Sequence, residues 1–201
     1  MAEGRALICG CDEAGAGPLA GPVYAAAVIL PFGADIPGLD DSKKLTGKKR
    51  EALFPVIQEK SLAWSVAFVE AKVIDETDIL SARMKAMQLA IDGLSQRADF
   101  VLIDGNRDKG RSAAITAPHR CLVKGDSLSA SIAAASILAK VSRDRYMVEM
   151  AARYPEYRFD RHKGYGTKLH YELLAQYGPS PIHRRSFLKT AKLPVDRKQT
   201  Q

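Results

Sequence analysis

The stretch Leu7-Ile8-Cys9-Gly10-Cys11-Asp12-Glu13-Ala14-Gly15-Ala16-Gly17-Pro18, followed by Leu19 to Pro22 and then Val23-Tyr24-Ala25-Ala26-Ala27-Val28-Ile29-Leu30, decides the fold. Residues 7–11 are an apolar run that reads as a buried strand and leads directly into the acidic pair Asp12-Glu13. A glycine-punctuated turn follows, and residues 23–30 form a second strand-like run closed by Pro31. Strand, glycine turn and strand in this order predict a hairpin rather than a nucleotide-binding strand–loop–helix unit.

Downstream, residues 32–45 read as loop, and Thr46 as the N-cap of a helix over about 47–60, with Pro55 an irregularity inside it. Residues 62–69 alternate with the period of a third strand. Residues 71–96 are helical and broken near Asp78. Phe100 to Ile103 is a short buried strand ending at Asp104-Gly105, and residues 105–119 are loop. Cys121 to Val123 is a further strand, ending in Lys124-Gly125-Asp126. Ser127 or Ser129 caps a helix that runs through Ser131 and Lys140 to about Ala152 and is ended by Tyr154-Pro155. Thr167 caps a further helix over 168–177, which stops at Gly178-Pro179. The polar tail after about 190 is expected to be mobile. The chain divides into a core over 1–152 and a basic, helical extension and tail over 153–201, expected to form a single structural unit.

Composition sets bounds. The chain has 201 residues, 46% hydrophobic and 26% charged, which excludes bulk disorder. No apolar run reaches the roughly 18–20 residues of a membrane span, and Met1 to Arg5 lacks the layout of a secretory signal. Three cysteines, at 9, 11 and 121, are not a disulfide framework and fit a reducing cytoplasm. The net charge is +7, and residues 151–201 carry all of it, with 11 Lys and Arg against 4 Asp and Glu. The same segment holds seven of the fourteen aromatics: Tyr154, Tyr157, Phe159, Tyr165, Tyr171, Tyr177 and Phe187. Cations interleaved with aromatics suit a polyanion with stackable bases; a solvated basic tail is the competing reading.

The chemical signal is a set of carboxylates at the ends of the expected buried strands: Asp12, Glu13, Asp104 and Asp126. Ligand sites in open α/β sheets lie at strand ends. Carboxylates brought together in a core need compensating charge, and a divalent ion supplies it. No Cys/His cluster has zinc spacing, so a hard ion is favoured. Four carboxylates can hold two ions roughly 3.5–4 Å apart, the arrangement of phosphodiester cleavage. Taken singly, each acid also reads as a core ion pair, a turn residue or a helix-dipole partner. Gly15-Ala16-Gly17 offers backbone N–H groups at close approach. Ser42 and Lys43 offer a hydroxyl and an ammonium to a phosphate. In His162-Lys163-Gly164-Tyr165-Gly166 an aromatic is presented beside cations. His183-Arg184-Arg185 reads as a solvated basic cluster.

Residues 10–23, from Gly10-Cys11-Asp12-Glu13 to Gly21-Pro22-Val23, resemble the N-terminal signature of the bacterial ribonuclease HII family. Asp41-Ser42-Lys43-Lys44-Leu45, Ile103-Asp104-Gly105-Asn106, Val123-Lys124-Gly125-Asp126-Ser127, Ala133 to Lys140, His162 to Thr167 and His183-Arg184-Arg185-Ser186-Phe187 continue the resemblance in family order, over about residues 7–187. The resemblance implies an α/β, RNase H-like fold: a five-stranded mixed sheet flanked by helices, with a helical C-terminal extension. It implies an endoribonuclease that cuts the RNA strand of RNA–DNA hybrids and cuts 5′ of ribonucleotides embedded in duplex DNA, with Mn²⁺ or Mg²⁺ as the divalent metal and two ions engaged during catalysis.

 That chemistry is two-metal-ion hydrolysis, with a hybrid or a ribonucleotide-containing duplex as the partner, no membrane, and no obligate protein partner. The resemblance makes Asp12, Glu13, Asp104 and Asp126 the catalytic, metal-holding carboxylates. Gly15, Ala16 and Gly17 fall on the element that reads the 2′-hydroxyl at the RNA–DNA junction, and Tyr165 on the tyrosine that stacks on the following deoxyribose. Ser42 and Lys43 fall on the phosphate-contacting loop, and Lys163 and Arg184 complete the expected substrate-binding set. The family element is Gly-Arg-Gly; here its centre is Ala16, which removes a cation from the junction. Two other readings stay open: a DNA nuclease or resolvase on the same sheet, and a non-catalytic hybrid-binding protein.

Overall fold

The computed structural model describes residues 6–105 and 114–189. Asn106, most of the loop expected over 105–119 and the tail after 190 lie outside the described residues.

The glycine turn closes a hairpin, as its sequence predicts. Strands β1 (Ile8–Ala14) and β2 (Val23–Ile29) pair antiparallel, with Asp12 opposite Ala26. β3 (Ala63–Val69) adds antiparallel to β2. β4 (Phe100–Asp104) adds parallel to β1, and β5 (His119–Leu122) adds parallel to β4. The sheet is therefore five-stranded and mixed, in the order β3-β2-β1-β4-β5. β1 is central, between an antiparallel and a parallel neighbour, and helices on the two faces bury Cys9, Gly10 and Cys11 of its apolar run.

Local signals set most helix ends. α1 (Gly47–Lys60) begins where the Thr46 hydroxyl accepts from the Lys49 N–H. The break expected near Asp78 separates α2 (Ala71–Glu76) from α3 (Ile79–Asp92), because the Asp78 carboxylate accepts from the Leu80 and Ser81 N–H groups and starts a new helix. α3 ends at Gly93, earlier than the apolar pattern implied. α4 (Ala130–Arg153) follows Ser129. α6 (Lys168–Tyr177) is capped by Thr167 and stopped by Gly178. Two four-residue helices, α5 (Phe159–His162) and α7 (Arg185–Leu188), are too short to leave a periodic signal.

The helices cover both faces of the sheet. α3 packs against Cys9, Cys11, Ala25 and Ala27. α1 and α4 cover the other face, against Ala14, Ala26 and Val28. Gly10 permits the closest approach, since a Cβ there would collide with the backbone of Ser131 and Ile132 at the start of α4. The Cys9 and Cys11 thiols are buried, and burial pushes Cys9 up to about 12. Among the described residues no helix is long and apolar enough to cross a membrane.

The C-terminal segment corrects the reading of its aromatics as a stacking surface. Tyr157 and Phe159 are buried with Ala20 and Met147 in a small core of their own. Their rings meet a buried histidine cluster in which His162 stacks on His170 at 4.2 Å between centroids, and His170 Nε2 lies 2.9 Å from His183 Nε2. An isolated bridge joins His183 to Ala20 beside the glycine turn. Tyr165 and Tyr177 are the aromatics of this segment left substantially exposed.

Candidate active site

The acidic pair lies within β1, not beyond it, because the strand continues to Ala14. Successive strand side chains alternate between faces. Asp12 therefore shares the α4 face with Ala14, and Glu13 shares the α3 face with Cys11. On that face Arg83 of α3 meets it, with Nη2 at 2.6 Å from Glu13 Oε1 and both side chains 15% exposed.

On the α4 face Asp12 is buried. Burial first, then the nearby Glu13 and Asp104 carboxylates, hold its pKa well above the usual carboxylate range. Asp104 ends β4, and its Oδ1 accepts from the Gly125 N–H at 2.7 Å. That bond ties the strand end to the 3-10 turn Gly125–Ser127, which carries Asp126. Asp126 is also buried, and its pKa is raised by burial, then by Asp104 and Asp41. Lys43 Nζ sits 3.8 Å from Asp126. Burial works against the charge of Lys43, but Asp12, Asp126, Asp41 and Asp104 together outweigh it and raise its pKa.

Asp12, Glu13, Asp104 and Lys43 line a cleft of about 270 Å³, together with the glycine turn, Ser42 and Tyr165; Asp126 stands beside it, against Lys43. Three further members, Arg50, Ser136 and Lys140, were not assigned from the sequence. Arg50 Nη1 donates to the carbonyls of Ser42 (2.7 Å) and Leu45 (2.6 Å), and so fixes the loop that carries Lys43. Asp41 was also missed as a carboxylate neighbour of Asp126. Asp41, Ser136 and Lys140 fall inside stretches that carry the family resemblance, and within α4 Ser136 bonds to the Ala133 carbonyl and Lys140 to the Asp144 carboxylate; nothing local marks Arg50, whose partners are loop carbonyls.

The turn itself is held from behind by two buried arginines. Arg184 donates from Nη2 to Gly15 O (2.6 Å), from Nη1 to Ala16 O (2.8 Å) and from Nε to Gly21 O (2.9 Å). Arg143 of α4 donates to the carbonyls of Pro22, Ala20 and Lys163. Both are fully buried. Burial, then the neighbouring Arg143 charge, brings the Arg184 pKa down to about 9. Gly15 has φ of 90°, and a Cβ there would collide with the Arg143 guanidinium. A trans peptide holds its N–H opposite its C=O. With the Gly15 and Ala16 carbonyls drawn to Arg184, the Ala16 and Gly17 N–H groups point away from it.

Two expected substrate-binding residues are thus placed differently. Arg184 is not part of a solvated cluster; it is buried because its forked donors satisfy turn carbonyls that would otherwise be unpaired. Lys163 adopts a left-handed conformation, turns its ammonium back to the Asp160 carbonyl and lines a neighbouring groove between α1 and α4. Tyr165 is 42% exposed, with Lys140 Nζ 5.8 Å and the Arg143 guanidinium 5.6 Å from its ring centroid.

Among the described residues no three His, Cys, Asp or Glu side chains close on one point as a finished metal cage. The donor set is nevertheless all oxygen, and burial and neighbouring carboxylates make Asp12 and Asp126 resist ionisation. This fits a hard divalent ion, which takes a few carboxylates and completes its shell with water and phosphate.

The fold and the cleft define a nuclease-like α/β protein with carboxylates at the C-terminal ends of its central strands. The ribonuclease HII family model matches residues 9–190. Ribonuclease HII of Caldicellulosiruptor bescii is 56% identical over 187 residues, which cover 93% of this chain and 89% of that protein. Ribonuclease HII of Idiomarina loihiensis is 51% identical, with 93% and 98% covered. The crystal structure of ribonuclease H2 from Pyrococcus horikoshii superposes with a TM-score of 0.74 at 28% identity, covering 89% of this chain and 92% of that one. Bst-RNase HIII, solved in complex with Mn²⁺, shares the fold at a TM-score of 0.62 and 20% identity, covering 87% of this chain and 64% of that one. The chain belongs to the ribonuclease HII family. It is an endoribonuclease that hydrolyses the RNA strand of RNA–DNA hybrids.

Proposed function

We propose that the protein also cuts duplex DNA 5′ of a single embedded ribonucleotide, leaving a 3′-hydroxyl and a 5′-phosphate. Asp12, Glu13, Asp104 and Asp126 would hold Mn²⁺ or Mg²⁺, which would supply Lewis-acid assistance to the attacking water and to the leaving 3′-oxygen. The Ala16 and Gly17 N–H groups read the 2′-hydroxyl, the group that separates RNA from DNA. Tyr165 stacks on the sugar that follows, and Ser42 and Lys43 contact the phosphate backbone. Arg184 and Arg143 are positioning residues that aim the turn.

The observation that carries the reading is the juxtaposition of inward-tied turn carbonyls with Asp12 and Asp104 around one cleft, with Asp126 beside it against Lys43. The test is cleavage of a duplex with one ribonucleotide beside an all-DNA duplex of the same sequence. The reading expects the first to be cut once and the second to stay intact. Equal cleavage of both would transfer the protein to the DNA nucleases of this fold.

A further inference from the structure

We infer that Arg83 is a resident counter-ion that competes with a divalent cation for Glu13 and so sets the affinity of the carboxylate site for metal. The inference rests on the reading of Glu13 as a site carboxylate. Glu13 is the one member of the four that the alternation of β1 turns toward α3, and Arg83 meets it there at 2.6 Å. Both side chains are mostly buried, so water and salt screen the pair weakly. Lys43, a cation beside Asp126, has by contrast a side chain 78% exposed and lies 3.8 Å from it, where solvent replaces it easily.

The Arg83 Nε is buried and has no hydrogen-bond partner among the described residues. Glu13 thus anchors Arg83, and Arg83 cancels most of the charge that Glu13 would offer to an ion. A carboxylate has two oxygens, and Arg83 occupies Oε1. An arriving ion has to share Glu13 with the guanidinium or displace it, and either course lowers affinity.

The experiment is calorimetric titration of the substrate-free protein with Mg²⁺ and with Mn²⁺, for wild type, Arg83→Met, Glu13→Gln and the double variant, with circular dichroism on each. Arg83→Met should bind metal more tightly, on the order of tenfold, the effect of restoring one partly screened neighbouring charge. In the Glu13→Gln background the same substitution should change nothing. Arg83→Lys retains the charge and should stay near wild type. If Arg83→Met does not fold, Arg83→Gln carries the same expectation. Unchanged or weakened binding in the folded Arg83 variant would overturn the inference, as would a gain that persists without Glu13. A wild type whose metal binding is indifferent to both Asp104→Asn and Glu13→Gln would instead sink the metal-site reading, and the inference with it.

Discussion

Arg184→Met removes the guanidinium that ties the glycine turn to the C-terminal segment while keeping a long side chain in its place. Three carbonyls, those of Gly15, Ala16 and Gly21, lose their donors together. A buried acceptor left unpaired costs about 1–3 kcal/mol. The protein also stops burying a charge whose pKa has fallen to about 9, and that offsets part of the loss. The net is about 2–4 kcal/mol, a melting temperature lower by roughly 5–15 °C for a chain of this size. The kinetic signature is more specific. With the Gly15 and Ala16 carbonyls released, the Ala16 and Gly17 N–H groups are no longer aimed, and KM for a single-ribonucleotide duplex should rise by an order of magnitude or more. The carboxylates are not touched, so kcat should fall much less. Arg184→Lys offers one donor in place of a fork and should fall between the two. Steady-state kinetics beside thermal unfolding measure both effects. A folded Arg184→Met protein with wild-type KM would refute the assignment of turn positioning to this residue.

Other expectations follow from the same geometry. Asp104→Asn keeps the Oδ1 acceptor for Gly125 but deletes a charge beside Asp12 and Asp126; activity should be lost, and the metal-free protein should melt a few degrees higher as repulsion is relieved. Near-wild-type cleavage by that variant in Mg²⁺ contradicts the site. Ala16→Arg adds a cation at a turn whose backbone is already fixed, and should tighten substrate binding roughly tenfold and steepen its salt dependence by up to about one unit; unchanged KM and salt slope would show that the junction contact is made elsewhere. His170 and His183 have pKa values lowered by burial to about 4 and about 3. Unfolded histidine titrates near 6.5, so the extension is fully stable above that pH. It loses about 1.4 kcal/mol per histidine per pH unit as the pH falls from 6.5 toward 4, because the unfolded state takes up the protons. Hydrogen exchange over residues 155–189, corrected for intrinsic rates, should speed up between pH 7 and pH 5; flat protection would show that the cluster does not titrate on opening.

The sequence made legible whatever is encoded locally. The glycine turn between two apolar runs gave the hairpin, Thr46, Asp78 and Thr167 gave helix starts, and Gly178 gave a stop, because a cap acts within three or four residues. Asp12, Asp104 and Asp126 could be found from their place at strand ends. What the sequence concealed depends on pairs far apart in the chain. Arg184 reads as one of three basic residues in a row, yet its partners lie 163 to 169 positions upstream. Glu13 reads as the twin of Asp12, but the strand's extension to Ala14 sends it to the opposite face, and the Arg83 that meets it belongs to a helix with an unremarked polar position. Tyr157 and Phe159 look like an aromatic face for bases until the three histidines and Met147 close over them.

The central claim is that this cleft hydrolyses the phosphodiester 5′ of a ribonucleotide with the help of a divalent ion. A duplex with one embedded ribonucleotide, end-labelled on that strand, tests it with and without Mg²⁺ or Mn²⁺. The account predicts one product, cut on the 5′ side of the ribonucleotide with a 3′-hydroxyl end, formed with the metal and absent when it is chelated. Cleavage that survives chelation, or that ignores the position of the ribonucleotide, would contradict it.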